Sequence, residues 1–167
     1  MIINRKQLKE LRKSGEKFVV CAGCFDLFHI GHLNIIKMAS EEVKLGGGKL
    51  LVIVLSDADV RVLKGEDRPI IPILQRAKII DSLEMVDYVI TTPPNSIKKS
   101  QNSARENVLW QKYWPIVRDS GASLAMRVDG TPPSFIKHLR NHGIEIIKHT
   151  RTRNISTNKI VEQIKKN

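Results

Sequence analysis

The chain has 167 residues, with 28 Lys and Arg against 17 Asp and Glu, and a net charge of +11. That length suits one domain with a proper hydrophobic core, and the basic excess points to anionic partners: phosphorylated small molecules, nucleic acid or a membrane surface. No apolar stretch is long enough to span a bilayer and Met1 to Lys13 lacks the apolar segment of a secretory signal, so a cytoplasmic protein is expected.

Met1 to Glu16 alternates basic and apolar residues, with Leu8 and Leu11 at helical spacing and Ser14-Gly15 as a stop, which predicts a short peripheral helix. Phe18 to Ala22 has the β-branched content of a buried strand and stops at Gly23, where the chain can turn sharply. Beyond Cys24-Phe25-Asp26, the run His29-Ile30-Gly31-His32 opens a helix that continues to about Leu45 and is ended by the glycines at 46–48. His29 and His32 are three apart, so both imidazoles project from one face of its first turn. A helix N-terminus offers unpaired N–H groups and the positive end of the peptide dipoles. Two imidazoles there suit a polyphosphate, with Gly23 and Gly31 letting phosphate oxygens approach the backbone. Histidines near a helix start are, taken alone, more often surface or core residues. The succession of strand, glycine turn and helix is what favours a nucleotide site.

A second buried strand, Lys49 to Leu55, completes a βαβ unit whose ligand crevice lies at the carboxyl ends of its strands. Ser56 to Pro72 reads as a polar loop over that crevice, Pro72 to Leu83 as a helix with Arg76 off its apolar face, and Val86 to Thr91 as a third strand. The segment 92–121 has no firm placement. Its Trp110, Tyr113 and Trp114 read as core or interface aromatics rather than a lid. Strands at Ala122 to Val128 and Ile144 to Lys148 and helices at Pro133 to Asn141 and Thr157 to Lys165 follow. The alternation predicts an α/β, Rossmann-like three-layer sandwich around a parallel five-stranded sheet. Cys21 and Cys24 form a C-x-x-C without a second cysteine pair and read as reduced, space-filling thiols rather than a zinc or redox site.

Gly23-Cys24-Phe25-Asp26 followed by His29-Ile30-Gly31-His32 resembles the signature of the nucleotidyltransferase superfamily that includes cytidylyltransferases and the adenylyltransferase half of ADP-heptose synthase. The stretch from Ser56-Asp57 through Lys64-Gly65, Arg68-Pro69 and Gln75-Arg76 to Val86-Asp87 is similar to the ADP-heptose synthase domain in particular. Near the C-terminus, Arg151-Thr152 and Ile155-Ser156-Thr157 resemble the triphosphate-binding signature of glycerol-phosphate and ethanolamine-phosphate cytidylyltransferases. There Asn158 stands where a second threonine is usual, and Arg153-Asn154 where an acidic residue and a glycine are usual. Asp129-Gly130 follows the fourth strand, where the family often has a glycine-aspartate pair against the acceptor, in the other order.

The resemblance implies nucleotidyl transfer: the phosphate of a phosphorylated sugar or polyol attacks the α-phosphorus of a nucleoside triphosphate in line, and pyrophosphate leaves. His29, His32 and Lys64 are the expected catalytic residues. Gly23, Cys24, Phe25, Asp26, Gly31, Arg76, Arg151, Ile155, Ser156 and Thr157 are expected around the nucleotide, and Asp57, Arg68 and Asp129 around the acceptor. Asp26 itself reads more as a turn-former than a ligand. Mg²⁺ is the implied cofactor, with no protein ligand assigned, and a homodimer the implied assembly. Two donors compete: the central stretch favours ATP with a sugar 1-phosphate, the C-terminal signature CTP with glycerol 3-phosphate or an amino-alcohol phosphate. A nucleic-acid-binding protein would also explain the charge, but few aromatics are available to stack bases and no reader motif is present. A nucleotide-binding protein without catalysis is the remaining reading.

Overall fold

A computed structural model describes residues 1–95, 103–127, 131–149 and 152–166. Five parallel strands form one sheet: β1 (Phe18–Gly23), β2 (Lys49–Val54), β3 (Tyr88–Thr91), β4 (Leu124–Arg127) and β5 (Glu145–Lys148), in the order β3-β2-β1-β4-β5. The sheet confirms the expected α/β Rossmann-like architecture. Strand order reverses at β1, and the crevice between β1 and β4 is the switch point where open parallel sheets bind ligands.

The strands are apolar on both faces because helices cover both. On one face Phe18, Val20, Leu51 and Ile53 pack with Leu8, Ile116, Val117, Phe135 and Leu139. On the other, Val19, Cys21, Leu50, Val52 and Val54 pack with Ile36, Ala39, Ala77 and Ile80. The first set of helices is α1 (Arg5–Lys13), the run ending in α6 (Trp114–Ser120), and α7 (Pro133–Asn141); the second is α2 (Ile30–Gly46) and α4 (Ile73–Asp81). Each fully buried Leu, Ile or Val contributes about 1.5–3 kcal/mol.

Three sequence-based expectations change. The N-terminal helix is integral rather than peripheral: Leu8 is fully buried in the first core, and Arg5 Nε donates to Asp119 of α6 at 2.9 Å. Asn4 and Gln7 close a reciprocal capping box at its start. The polar stretch after β2 is not all loop, since Asp57–Lys64 forms helix α3, capped by the Ser56 side chain, which accepts from the Asp59 amide at 3.2 Å. Its acidic residues fall in the first turn and its basic ones in the last, which complements the helix dipole. In the segment without a firm placement, α5 (Ala104–Val108), a π-helical turn (Leu109–Tyr113) and α6 run without a break. Trp110 meets Phe135 edge-on at 5.0 Å and Trp114 meets His138 at 4.4 Å, so these aromatics pack against α7.

Lys112, on the π-helical turn, is buried, and its ammonium donates to Pro93 O at 2.9 Å and to Asn95 Oδ1 at 3.0 Å, with Asp59 Oδ1 at 3.8 Å. Asp59 in turn accepts from the Thr92 hydroxyl, and Thr92 Oγ1 accepts from the Ser56 amide at 2.7 Å. One lysine thereby fastens the segment after β3 to the start of α3. Lys112→Met is expected to lower stability by about 1.5–3 kcal/mol, the range for hydrogen bonds to a charged group, and the urea midpoint would report it.

Candidate functional site

The turn from β1 into α2 holds two of the three left-handed non-glycine residues among the described ones. Phe25 and Leu27 hold φ values of 52° and 45°, left-handed conformations that cost a non-glycine residue energy and persist where packing over-determines them. The Phe25 ring is buried and folds back over Gly23, where a Cβ would lie 3.0 Å from its tip. A Cβ on Gly31 would lie 2.9 Å from the His29 ring. Both glycines therefore make room for aromatic side chains of the site.

His29 caps α2 with its own ring, Nδ1 accepting from the Gly31 amide at 3.1 Å. An accepting Nδ1 leaves the proton on Nε2, so His29 presents an N–H away from the cap. His32 stacks on it, ring centroids 3.9 Å apart and planes 18° from parallel, so the two imidazoles do share one face as spacing suggested. Phe25 and Phe28 flank His32 at 5.5 and 5.7 Å. His32 Nδ1 is buried without a protein partner. Burial pushes the His32 imidazole down to about 3, with His29 adding to the shift and Asp26 opposing it, and burial also lowers His29. Both shifts favour the neutral imidazole at pH 7.

These shifts set an acid sensitivity. The folded state resists protonating His29 and His32 while the unfolded chain takes protons near the ordinary value of 6.5, so the penalty is absent above 6.5 and grows as pH falls toward the folded values. The thermal midpoint is expected to drop between pH 7 and pH 5, and less steeply in His32→Asn. Equal slopes would contradict the assignment.

Asp26 is the hub beneath the histidines. Almost fully buried, it accepts from Arg68 Nε at 2.8 Å and from the Ile70 and Ile71 amides at 3.0 and 2.9 Å, with Arg68 Nη2 at 2.6 Å. Its backbone carbonyl accepts from Thr157 Oγ1 at 2.9 Å, at the start of α8 (Thr157–Lys166). Arg68 Nη1 also lies 3.5 Å from Asn158 Oδ1, so the residue that departs from the threonine pattern is joined to the hub. Ser156 receives the Lys159 amide at 3.2 Å and caps α8. Asn154 takes a left-handed φ of 64°, which explains an asparagine where glycine is usual, since asparagine tolerates that region best after glycine. Thr152 accepts from Asn34 of α2 at 3.0 Å, and a Cβ on Gly31 would meet Ile155 at 3.7 Å. The C-terminal segment thus lies against the histidine helix.

Arg76 is fully buried, not off to one side. Nε donates to Ile71 O at 2.8 Å, Nη1 to Cys24 O, and Nη2 to Asp57 Oδ1 at 2.6 Å. All three Arg76 nitrogens and one oxygen of the Asp57 carboxylate are thus engaged by protein, as Asp26 is by Arg68. Lys64 is exposed at the end of α3. Cys21 and Cys24 are free thiols, Cys21 pushed up to about 12 by burial and Cys24 also raised by burial. Asp129 and Arg151 lie outside the described residues. Sequence reasoning missed Asp59, Thr92, Lys112 and Asn34; only Asp59 left a signal, in the Ser-Asp-Ala-Asp pattern of a helix start at 56–59.

No group of three or more His, Cys, Asp or Glu among the described residues could hold a metal. Magnesium commonly takes one or two carboxylates plus substrate phosphates, and Asp26 and Asp57 are paired with Arg68 and Arg76. The described residues do not offer a metal cage.

A parallel sheet with a strained turn and a histidine pair at its switch point is the framework of a nucleotide-binding α/β enzyme. The chain belongs to the cytidylyltransferase-like family, whose model matches residues 20–163, and is a nucleotidyltransferase. It is 32% identical over 149 residues to the bifunctional protein HldE of Desulfatibacillum aliphaticivorans, covering 82% of this chain and 30% of that protein. To the HldE of a Nitratiruptor species it is 48% identical over 82 residues, 49% of this chain and 17% of that one. The chain spans under a third of the length of these curated relatives. Among solved structures, pantoate-beta-alanine ligase from Francisella tularensis superposes with a TM-score of 0.64 at 16% identity, over 99% of this chain and 77% of that one. A lipopolysaccharide core biosynthesis protein from Thermoplasma volcanium gives 0.59 at 22% identity, over 83% and 99%. These structural likenesses speak to the fold. Among the described residues no helix is long and apolar enough to cross a membrane.

Proposed function

We propose that this chain transfers a nucleoside monophosphate from a nucleoside triphosphate to a phosphorylated acceptor, releasing pyrophosphate, with ATP as donor and a sugar 1-phosphate as the acceptor class of its ADP-heptose-synthase-like relatives. The observation that carries the reading is the stacked, neutral pair His29 and His32 at the start of α2, on the carboxyl side of β1.

A phosphate monoester loses its second proton near pH ~6, so the nucleophile is already ionised at neutral pH and needs no strong base. The protein's work is orientation and charge stabilisation. His29 Nε2–H and the His32 N–H donate to α- and β-phosphate oxygens as charge develops, and because both rings are already neutral donors they need no change of protonation. Lys64 supplies a fixed positive charge at the end of α3. The 152–158 segment, held against α2 by the Asn34 and Asp26 bonds, bounds the triphosphate and the departing pyrophosphate. Mg²⁺, when bound to the nucleotide, would neutralise phosphate charge; among the described residues no group of three or more candidate ligands would hold it without the nucleotide. A cytoplasmic location and a homodimer belong to the same reading.

The likeness of the 151–157 segment to cytidylyltransferase signatures favours a second reading, CTP with glycerol 3-phosphate or an amino-alcohol phosphate. Pyrophosphate release, assayed with Mg²⁺ and with ATP and CTP separately against heptose 1-phosphate, glycerol 3-phosphate, phosphoethanolamine and phosphocholine, distinguishes them. Nucleotide binding without release on any phosphate ester would leave a binding protein instead.

A further inference from the structure

A cavity of about 160 Å³ opens beside the histidine turn, at the carboxyl end of β1 and against β4. Gly23 and Cys24 line one side of it, and two cationic side chains reach it, Lys64 at the end of α3 and Arg105 on α5. Both act through charge on the Cys24 thiol, which puts their positive field at the end next to the histidine turn. Arg105 is built into the wall. Val108, three residues on and so on the same face of α5, is buried with Leu55 and Val60, and Leu63 and Cys24 pack against them. Ser103 and Glu106 close a capping box at the start of α5, with Ser103 Oγ donating to Glu106 Oε2 at 2.9 Å and accepting from the Glu106 amide at 3.3 Å. Glu106 also meets the Ser134 side chain of α7. The helix that carries Arg105 is thereby held to α3 by Val108 and to α7 by Glu106.

We propose that Arg105 binds the phosphate of the acceptor together with Lys64, so that the nucleophile is positioned from the segment after β3 and the nucleoside triphosphate from the histidine helix. This rests on the nucleotidyl-transfer reading and deepens it by naming a residue for the acceptor side. Donor and acceptor are both anions and repel as they approach, and sites of phosphoryl transfer answer that charge with Arg and Lys clamps. His29 and His32 are shifted toward the neutral imidazole, so they donate hydrogen bonds without offsetting it. Arg68 and Arg76 hold the carboxylates of Asp26 and Asp57. Lys64 and Arg105, reaching one cavity, are placed to offset the charge of the incoming phosphate. The two contribute differently. A guanidinium presents a planar fork that grips a phosphate through two parallel N–H bonds, whereas an ammonium on a flexible stem acts as a point charge. Arg105 therefore fixes direction as well as charge, and direction matters because attack has to come in line with the leaving pyrophosphate. The phosphate is common to sugar 1-phosphates and glycerol 3-phosphate, so the assignment applies to either acceptor.

Calorimetric titration of heptose 1-phosphate and of glycerol 3-phosphate, each in the presence of a non-hydrolysable analogue of ATP or of CTP, tests the site without requiring turnover. Arg105→Gln is expected to weaken at least tenfold the binding of whichever ester the parental protein binds. Its affinity for the nucleotide analogue is expected to stay within twofold of parental, which also reports a folded variant. Arg105→Lys, which keeps the charge and loses the fork, is expected to fall between the two. In pyrophosphate release with Mg²⁺, Arg105→Gln is expected to raise the KM for the ester at least tenfold and to leave the KM for the triphosphate unchanged. If neither ester is turned over but one binds with this dependence on Arg105, the phosphate site stands and the catalytic reading fails. If pyrophosphate is released and Arg105→Gln changes the KM and the affinity for the ester less than tenfold, the catalytic reading stands and the proposal is overturned. It is overturned as well if the nucleotide analogue is weakened as much as the ester, if Arg105→Lys loses as much as Arg105→Gln, or if neither ester binds at millimolar concentration.

Discussion

His32→Asn is expected to reduce turnover about 10²- to 10³-fold, the loss of about 2.7–4 kcal/mol that follows removal of one preorganised donor to a developing charge. The fold should tolerate the change, because the His32 Nδ1 makes no bond to protein and no partner is orphaned by its removal. His29 needs a different substitution. Its Nδ1 caps α2, so His29→Ala would combine a catalytic loss with a capping loss of about 0.5–2 kcal/mol. His29→Asn restores a good capping side chain while deleting the imidazole Nε2–H, and a similar fall in kcat at near-parental stability is expected. Steady-state kinetics beside thermal denaturation separates the two effects. Parental kcat in a folded His32→Asn protein would remove the histidine pair from the mechanism.

Asp26→Ala is expected to be the most destabilising single change near the site. It leaves the Arg68 guanidinium, with 9% of the residue exposed, without its carboxylate and strips the Ile70 and Ile71 amides of their acceptor. Breaking a buried pair on one side costs about 3–5 kcal/mol, whereas replacing both partners with apolar groups costs far less. Urea unfolding of Asp26→Ala, Arg68→Met and the double variant tests this, with the double variant expected to recover part of the loss. A cost below about 1 kcal/mol for Asp26→Ala would show that water serves Arg68 equally well.

Much of this was legible before any coordinates. Buried strands announce themselves as apolar, β-branched runs, and Phe18 to Ala22 and Lys49 to Leu55 fall on β1 and β2 to within a residue. The histidine spacing gave the shared face of the two rings because a separation of three is a local property of a helix. The protein partners of Arg68, Arg76 and Asp57 were not legible. Basic residues beside a phosphate site read as ligands, and only three-dimensional proximity reveals that Asp26 and Asp57, 42 and 19 residues away, already hold them. Helix α3 was hidden because its short span is strongly charged, and the capping serine that marks its start reads equally well as a loop residue. The 92–121 segment failed for a related reason: Lys112 in its midst looks like a surface residue until its acceptors on the segment after β3 are in place.

The last helix, α8, has no buried residue. Among the described residues its hydrogen bonds to the rest of the protein come at one end, through Thr157 and Asn158. An element with little fully buried surface opens at a free energy well below that of global unfolding. Backbone amides of α8 are therefore expected to exchange faster than those of α2, which buries Ile35, Ile36 and Ala39, so that the C-terminal side of the site is expected to yield before the sheet does when a bulky, highly charged molecule enters or leaves.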